Sequence, residues 1–203
     1  KLTGTAGSYT VSYSISSPSN IQKTQPLTLA VGAAKKLKLV TPADGFVNRT
    51  VFSTQPSIEV QDVSGNKVDS TAEITASIST GALTGAKVIN ASGGTATYVG
   101  LGKTGLVGSK TLTFSSPNLT STTQDFTLTY GAATKVFATT PAAGFTTDIA
   151  FTTQPIIKIQ DADGNTVENS TALVTITSSG GSPGTILGGN TSMPAVARSE
   201  ERR

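Results

Sequence analysis

The stretch Phe52-Ser53-Thr54-Gln55-Pro56-Ser57-Ile58-Glu59-Val60-Gln61-Asp62-Val63-Ser64-Gly65-Asn66 returns ninety-nine positions later. There it reads Phe151-Thr152-Thr153-Gln154-Pro155-Ile156-Ile157-Lys158-Ile159-Gln160-Asp161-Ala162-Asp163-Gly164-Asn165. The match extends without a gap over 33–68 and 132–167, with 18 of 36 positions identical by direct count. It takes in Thr41-Pro42-Ala43 with Thr140-Pro141-Ala142, and Gly45-Phe46 with Gly144-Phe145. Self-similarity at a fixed period signals tandem repeats.

The remaining segments fall into the same frame. Gly7-Ser8-Tyr9-Thr10-Val11 resembles Gly108-Ser109-Lys110-Thr111-Leu112. Leu27-Thr28-Leu29 before Gly32 resembles Phe126-Thr127-Leu128 before Gly131. The expected organisation is therefore 1–31 as the final strands of a preceding repeat and 32–131 as a complete repeat. Residues 132–197 read as the first part of a following, truncated repeat.

Within the unit, apolar and polar residues alternate with period two. Leu37 and Leu39 alternate with Lys36 and Lys38; Ile58 and Val60 with Ser57, Glu59 and Gln61. Ala72, Ile74, Ala76 and Ile78 alternate with Thr71, Glu73, Thr75 and Ser77. Ala96, Tyr98, Leu112, Phe114, Phe126, Leu128 and Tyr130 continue the pattern, with Phe46, Phe52, Phe114 and Phe126 as candidate aromatic core. Such alternation over short runs, with turn residues every 8–12 positions or so, predicts strands. The Asp-x-x-Gly-Asn stretches at 62–66 and 161–165 read as turns, with Gly at a positive φ and Asp bonding back to turn amides. Pro56 and Pro155 sit at strand entries, where a missing N–H does little harm. A period near 100 residues fits one immunoglobulin-like sandwich. The expected fold is all-β: tandem immunoglobulin-like β-sandwich repeats of about 100 residues.

Composition narrows the function. The 203 residues contain no His and no Cys, 36% hydrophobic and 13% charged residues. Without His or Cys there is no Ser–His–Asp or Cys–His arrangement and no zinc finger or His-ligated zinc. The net charge is +3, and its Lys residues are scattered apart from Lys35, Lys36 and Lys38, so no basic face for nucleic acid is expected. No apolar run is long enough for a membrane helix. The tail Arg198-Ser199-Glu200-Glu201-Arg202-Arg203 departs from the composition before it. It resembles the translation of a sequencing adaptor, AGA TCG GAA GAG CGT CGT. Residues 198–203 are thus expected to be a non-native tail on a metagenomic fragment.

The pattern Thr-Pro-Ala-x-Gly-Phe, Phe-x-Thr-Gln-Pro-x-Ile and Gln-Asp-x-x-Gly-Asn-x-Val, with Leu83-Thr84-Gly85 further on, resembles the bacterial immunoglobulin-like repeats of large surface adhesins, of the Big and invasin/intimin type. The resemblance implies an extracellular or cell-surface setting and a stalk that projects a distal module. Such modules also occur inside secreted polysaccharide-acting enzymes. The expected function is a non-catalytic structural spacer of a cell-surface or secreted adhesin; the alternative is an accessory or binding module of an extracellular polysaccharide-acting enzyme. Its partners are then neighbouring repeats of the same chain, with a host or surface glycan or protein ligand unidentified.

Several candidate sites compete with plainer readings. Asp161-Ala162-Asp163-Gly164-Asn165 resembles the opening of a calcium loop, but the closing Glu is missing and Ser64 stands where Asp163 would recur. An Asp/Gly turn is the preferred reading, with calcium between repeats left open. Some similar adhesins carry a Lys–Asn or Lys–Asp isopeptide bond, which needs a buried pair; Lys36 and Asp125 both point outward by alternation. Asn48, Asn90, Asn118, Asn169 and Asn190 head glycosylation sequons, a pattern that arises by chance in a Ser/Thr-rich chain. Glu59, Glu73, Asp69 and Asp125 alternate with inward residues, which gives no carboxylate pair for glycoside hydrolysis. No catalytic, cofactor-binding or metal residues are therefore expected.

Overall fold

The structure is a computed structural model that describes residues 2–17, 21–179 and 187–196. Residues 198–203 lie outside the described residues. The fold is all-β, with no helix among the described residues. Strands β1 (Gly7–Ile15), β2 (Ile21–Leu29), β3 (Lys36–Thr41), β4 (Ser57–Gln61) and β5 (Glu73–Ile78) come first. They are followed by β6 (Ala82–Thr84), β7 (Val88–Asn90), β8 (Thr95–Thr97), β9 (Gly102–Thr104), β10 (Gly108–Ser115) and β11 (Thr122–Leu128). The chain closes with β12 (Lys135–Thr140), β13 (Ile156–Gln160), β14 (Leu173–Thr175) and β15 (Ser192–Pro194).

By contacts the chain divides into two compact units. One comprises Lys1–Phe46, Val51–Lys103 and Ser109–Thr127; the other comprises Val47–Thr50, Thr104–Gly108 and Leu128–Arg203.

The first unit holds a three-stranded sheet ordered β3-β4-β8 and most of a four-stranded sheet ordered β11-β10-β5-β7. The alternation read from sequence sets which side chains point inward. Ile58, Val60, Ile74, Ala96, Tyr98, Leu112 and Phe114 are almost wholly shielded from solvent. Each such large side chain contributes about 1.5–3 kcal/mol of burial free energy, an upper value because unfolded chains are already partly compact. Phe46 stacks on Phe126 with centroids 4.1 Å apart, and Phe52 meets Phe46 edge-on at 5.2 Å. Buried Tyr98 keeps its hydroxyl satisfied by donating to the Ile74 carbonyl at 2.9 Å. The hairpin β1–β2 forms a separate two-stranded sheet whose residues are nearly all exposed.

The second unit repeats the β3–β4 geometry position for position. Lys36 pairs with Gln61 and Lys135 with Gln160, and the same irregularity interrupts both pairs, at Leu39/Thr41 and at Ala138/Thr140. Phe145 meets Phe151 edge-on at 5.0 Å, as Phe46 meets Phe52. Gly65 and Gly164 both take φ 89°, the left-handed conformation that their turns require and that only Gly adopts without strain. The two halves of the repeat differ in burial. Val136 is 63% exposed where Leu37 is 5% exposed. Among the described residues, strands β14 and β15 pair only with each other.

Lys103, on β9, is fully buried. On that strand it lies between buried Gly102 and half-buried Thr104.

Candidate functional site

The two Asp-x-x-Gly-Asn turns do more than reverse the chain. In the first unit, Asp62 Oδ1 accepts the Asn66 N–H at 2.9 Å, which closes the turn. Asp62 Oδ2 accepts Asn66 Nδ2 at 2.8 Å and the Gly32 N–H at 2.9 Å. Asn66 then turns its amide outward. Its Oδ1 accepts the Ala6 N–H at 2.8 Å and its Nδ2 donates to the Gly4 carbonyl at 3.0 Å. One Asp/Asn pair thus grips the segment before β3 and the loop before β1.

The second unit contains the same grip. Asp161 Oδ1 accepts the Asn165 N–H at 2.9 Å and the Asp163 N–H at 3.0 Å. Its Oδ2 accepts Asn165 Nδ2 at 2.8 Å and the Gly131 N–H at 3.0 Å. Asn165 Oδ1 accepts the Val107 N–H at 2.9 Å, and its Nδ2 donates to the Gly105 carbonyl at 3.0 Å. Gly4-Thr5-Ala6 and Gly105-Leu106-Val107 are equivalent segments in the sequence alignment, and so are Gly32 and Gly131. An amide that donates and accepts against one backbone segment fixes both its position and its direction.

Three further side chains enlarge the second grip. Asn48 is buried; its Nδ2 donates to Asp161 Oδ2 at 2.7 Å and to Asp163 Oδ2 at 2.8 Å, while its Oδ1 accepts the Gly105 N–H at 3.0 Å. Arg49 forks onto Asp163, Nε to Oδ2 and Nη2 to Oδ1, both at 2.8 Å. Gly131 is needed for close approach, because a Cβ there would stand 2.6 Å from the Asn48 carbonyl oxygen.

The electrostatics follow from the donors. Burial alone would raise the Asp161 carboxyl, but the N–H groups of Gly131, Asn165 and Asn48 outweigh it and hold the group well below the usual carboxylate range. Bonds from the Asn66 side chain and the Gly32 N–H lower Asp62 to about 2. Asp163 is lowered to about 2, first by Arg49 and then by Asn48. These carboxylates are charged acceptors, each holding three or more N–H donors, an arrangement that favours the ionised form.

The sequence candidates now have places. Asp161, Asp163 and Asn165 do converge, with N–H groups occupying the lone pairs that a cation would use. No group of three or more His, Cys, Asp or Glu suited to a metal occurs among the described residues. Asn48, read from sequence as one sequon among five, has its Nδ2 committed to two carboxylates and is buried, so the folded chain has no room for a glycan there. Asn90, Asn118, Asn169 and Asn190 are exposed. Asp125 is exposed and accepts the Thr111 hydroxyl at 2.6 Å. The role of Asn48 and Arg49 was missed because nothing repeats at their positions: Thr147 and Asp148 stand at the equivalent places. In the second unit, hollows of about 130 and 210 Å³ flank the grip and β12; both fall short of ordinary ligand pockets.

No family model matches the chain, and no curated protein matches it. Solved structures that match include a beta-glucuronidase of Parabacteroides merdae with glycerol in its active site, at 12% identity and TM-score 0.38, covering 59% of this chain and 16% of that one. A second structure of the Parabacteroides merdae enzyme matches at 15% identity and TM-score 0.36, covering 54% of this chain and 15% of that one. A beta-glycosidase of Bacteroides vulgatus matches at 14% identity and TM-score 0.40, covering 52% and 15%. No family follows from them. The chain spans a small fraction of these enzymes, and likeness at this level carries no argument about what it does. No helix among the described residues is long and apolar enough to cross a membrane.

Proposed function

We propose that this chain is a non-catalytic structural spacer: tandem immunoglobulin-like β-sandwich repeats of a bacterial cell-surface or secreted adhesin, projecting a distal module. The repeats are those read from sequence, with 32–131 as the complete unit and Gly32 and Gly131 at the joints. The observation that carries the reading is the duplicated grip. Each Asp-x-x-Gly-Asn turn holds the Gly at its own joint and a Gly-x-x loop of the preceding repeat. A spacer needs joints without slack, and a charged carboxylate bonded to several N–H groups supplies that stiffness locally.

The test is recovery of the parent reading frame, followed by antibody labelling of residues 32–131 on intact cells. Surface labelling, with further units of about 100 residues and a separate end module, is the expected result. A cytosolic product refutes the spacer. A secreted product with a catalytic domain and few repeats replaces the spacer with an accessory module of a polysaccharide-acting enzyme.

A further inference from the structure

The sequence holds two Asp-Gly pairs, Asp44-Gly45 and Asp163-Gly164. Such a pair can close on itself: the Gly nitrogen attacks the Asp side-chain carbon, and no Cβ on the Gly obstructs the approach. The fold treats the two pairs in opposite ways.

At the first pair, Asp44 is exposed and its Oδ1 accepts the Gly45 N–H at 2.7 Å. The carboxyl thus already lies against the nitrogen that ring closure needs, and positioning of this kind removes much of the entropy cost of a reaction. The turn itself does not require that carboxyl. Ala143-Gly144 takes the equivalent place in the second unit and makes the same turn without one. Asp44 exchanges two backbone bonds with Thr54, at 3.1 and 3.3 Å, and Ala143 exchanges two with Thr153, both at 3.1 Å. Gly45 and Gly144 both take φ 76°.

At the second pair the carboxyl is held elsewhere. Arg49 forks onto Asp163 and Asn48 adds a further bond. The Gly164 N–H donates to the Asp161 carbonyl at 3.1 Å. Arg49, and then Asn48, lower Asp163 to about 2, so it stays ionised and has no hydroxyl to lose.

We propose that Asp44 is a site of spontaneous isomerisation to isoaspartate in the folded chain, and that the grip spares Asp163. The proposal goes beyond the spacer reading and does not depend on it. The Gly45 nitrogen bonds to Asp44 Cγ, the side-chain hydroxyl leaves with the amide proton as water, and a cyclic imide forms. Water then adds to one of the two imide carbonyls. Opening at Cγ restores aspartate. Opening at the backbone carbonyl breaks the original peptide C–N bond and leaves the chain running through Cβ and Cγ, beside a free α-carboxylate. Water is released once and taken up once, and nothing is oxidised or reduced. The Asp44 N–H and carbonyl oxygen, which bond to Thr54, survive ring closure. The product lengthens the backbone just before Phe46, whose ring stacks on Phe126 at 4.1 Å.

The test ages the full chain in heavy-oxygen water, folded in buffer and unfolded in urea. Peptides are then separated, and electron-transfer fragmentation distinguishes isoaspartate from aspartate at each site. In urea both sites should take up label and accumulate isoaspartate. In the folded chain Asp44 should continue at a rate comparable to that in urea, while Asp163 nearly stops. Asp44→Glu, whose longer side chain closes a larger and slower ring, should silence the first site, and the Ala143 turn shows that the fold does not need Asp there. Arg49→Ala should raise isoaspartate at Asp163; no rise overturns the protection assigned to the grip. If folding protects Asp44 as strongly as Asp163, or if Asp163 outpaces Asp44 in the folded chain, the proposal is overturned.

Discussion

Truncating Asp161 tests the grip at its most heavily bonded point. Asp161→Ala removes acceptors for five N–H bonds of 2.7–3.0 Å, from Asn48, Gly131, Asp163 and, twice, Asn165. Three of those bonds close the local turn, and water can replace part of them. The Gly131 N–H and the Asn48 amide lose partners in a buried setting, where each orphaned donor costs about 1–3 kcal/mol. The net loss is therefore about 3 kcal/mol, the lower end of what breaking a buried charged contact costs. At roughly 2–4 °C per kcal/mol for a chain of this size, the melting midpoint drops by about 6–12 °C. Asp161→Asn is the sharper variant. Each carboxylate oxygen faces at least two N–H donors, so an amide placed either way turns an NH₂ toward donors. Asn should rescue little or nothing. Thermal and urea unfolding of the two variants beside the parent chain measure this. A midpoint shift below about 2 °C for Ala, or recovery of parent stability by Asn, would refute the reasoning that charge-assisted bonds hold this point.

Other outcomes follow from the same contacts. Asn48→Asp sets a third carboxylate against Asp161 and Asp163, so it should destabilise more than Asn48→Ala at neutral pH; the gap should narrow in acid, read by urea midpoints at pH 7 and near pH 3. The parent chain should lose stability as pH falls from about 4 toward 2. Asp62 and Asp163 have folded values lowered to about 2 from 3.8, so their contribution is full above the unfolded value and vanishes as pH drops through the folded one. Arg49→Ala should cost less than Asn48→Ala and its effect should fade with added salt, because Arg49 is largely exposed. Tyr98→Phe should cost about 1 kcal/mol by leaving the buried Ile74 carbonyl without its hydroxyl donor, measured by urea unfolding at constant slope.

Much of the fold was legible because burial follows alternation. Ile58, Val60, Ile74, Ala76, Leu112, Phe114, Phe126 and Leu128 were marked as inward by period two, and all are buried. The duplication of 33–68 in 132–167 was legible too, down to paired registers that shift at the same place. The turns at Asp62 and Asp161 were also foreseen as turns with the Asp bonding back and the Gly at positive φ. Their outward reach was not. Gly32 and Gly131 lie 30 residues from the Asp that holds them, and Ala6 and Val107 about 60 from the Asn, so no local pattern encodes the contact. A signal did exist: the gripped glycines recur in step with the gripping turns. Asn48 was hidden because its sequence neighbours suggested a chance sequon, whereas its partners are 113 and 115 residues away.

The central claim is that each Asp-x-x-Gly-Asn turn holds two separate backbone segments, and amide hydrogen exchange at four positions tests it most directly. The N–H groups of Ala6, Gly32, Val107 and Gly131 lie outside the strands and donate to Asn66, Asp62, Asn165 and Asp161. In the intact chain all four should exchange more slowly than the neighbouring loop amides, and Asn66→Ala should release Ala6 while Asp161→Ala releases Gly131. Exchange of all four at unprotected rates in the parent chain would contradict the account.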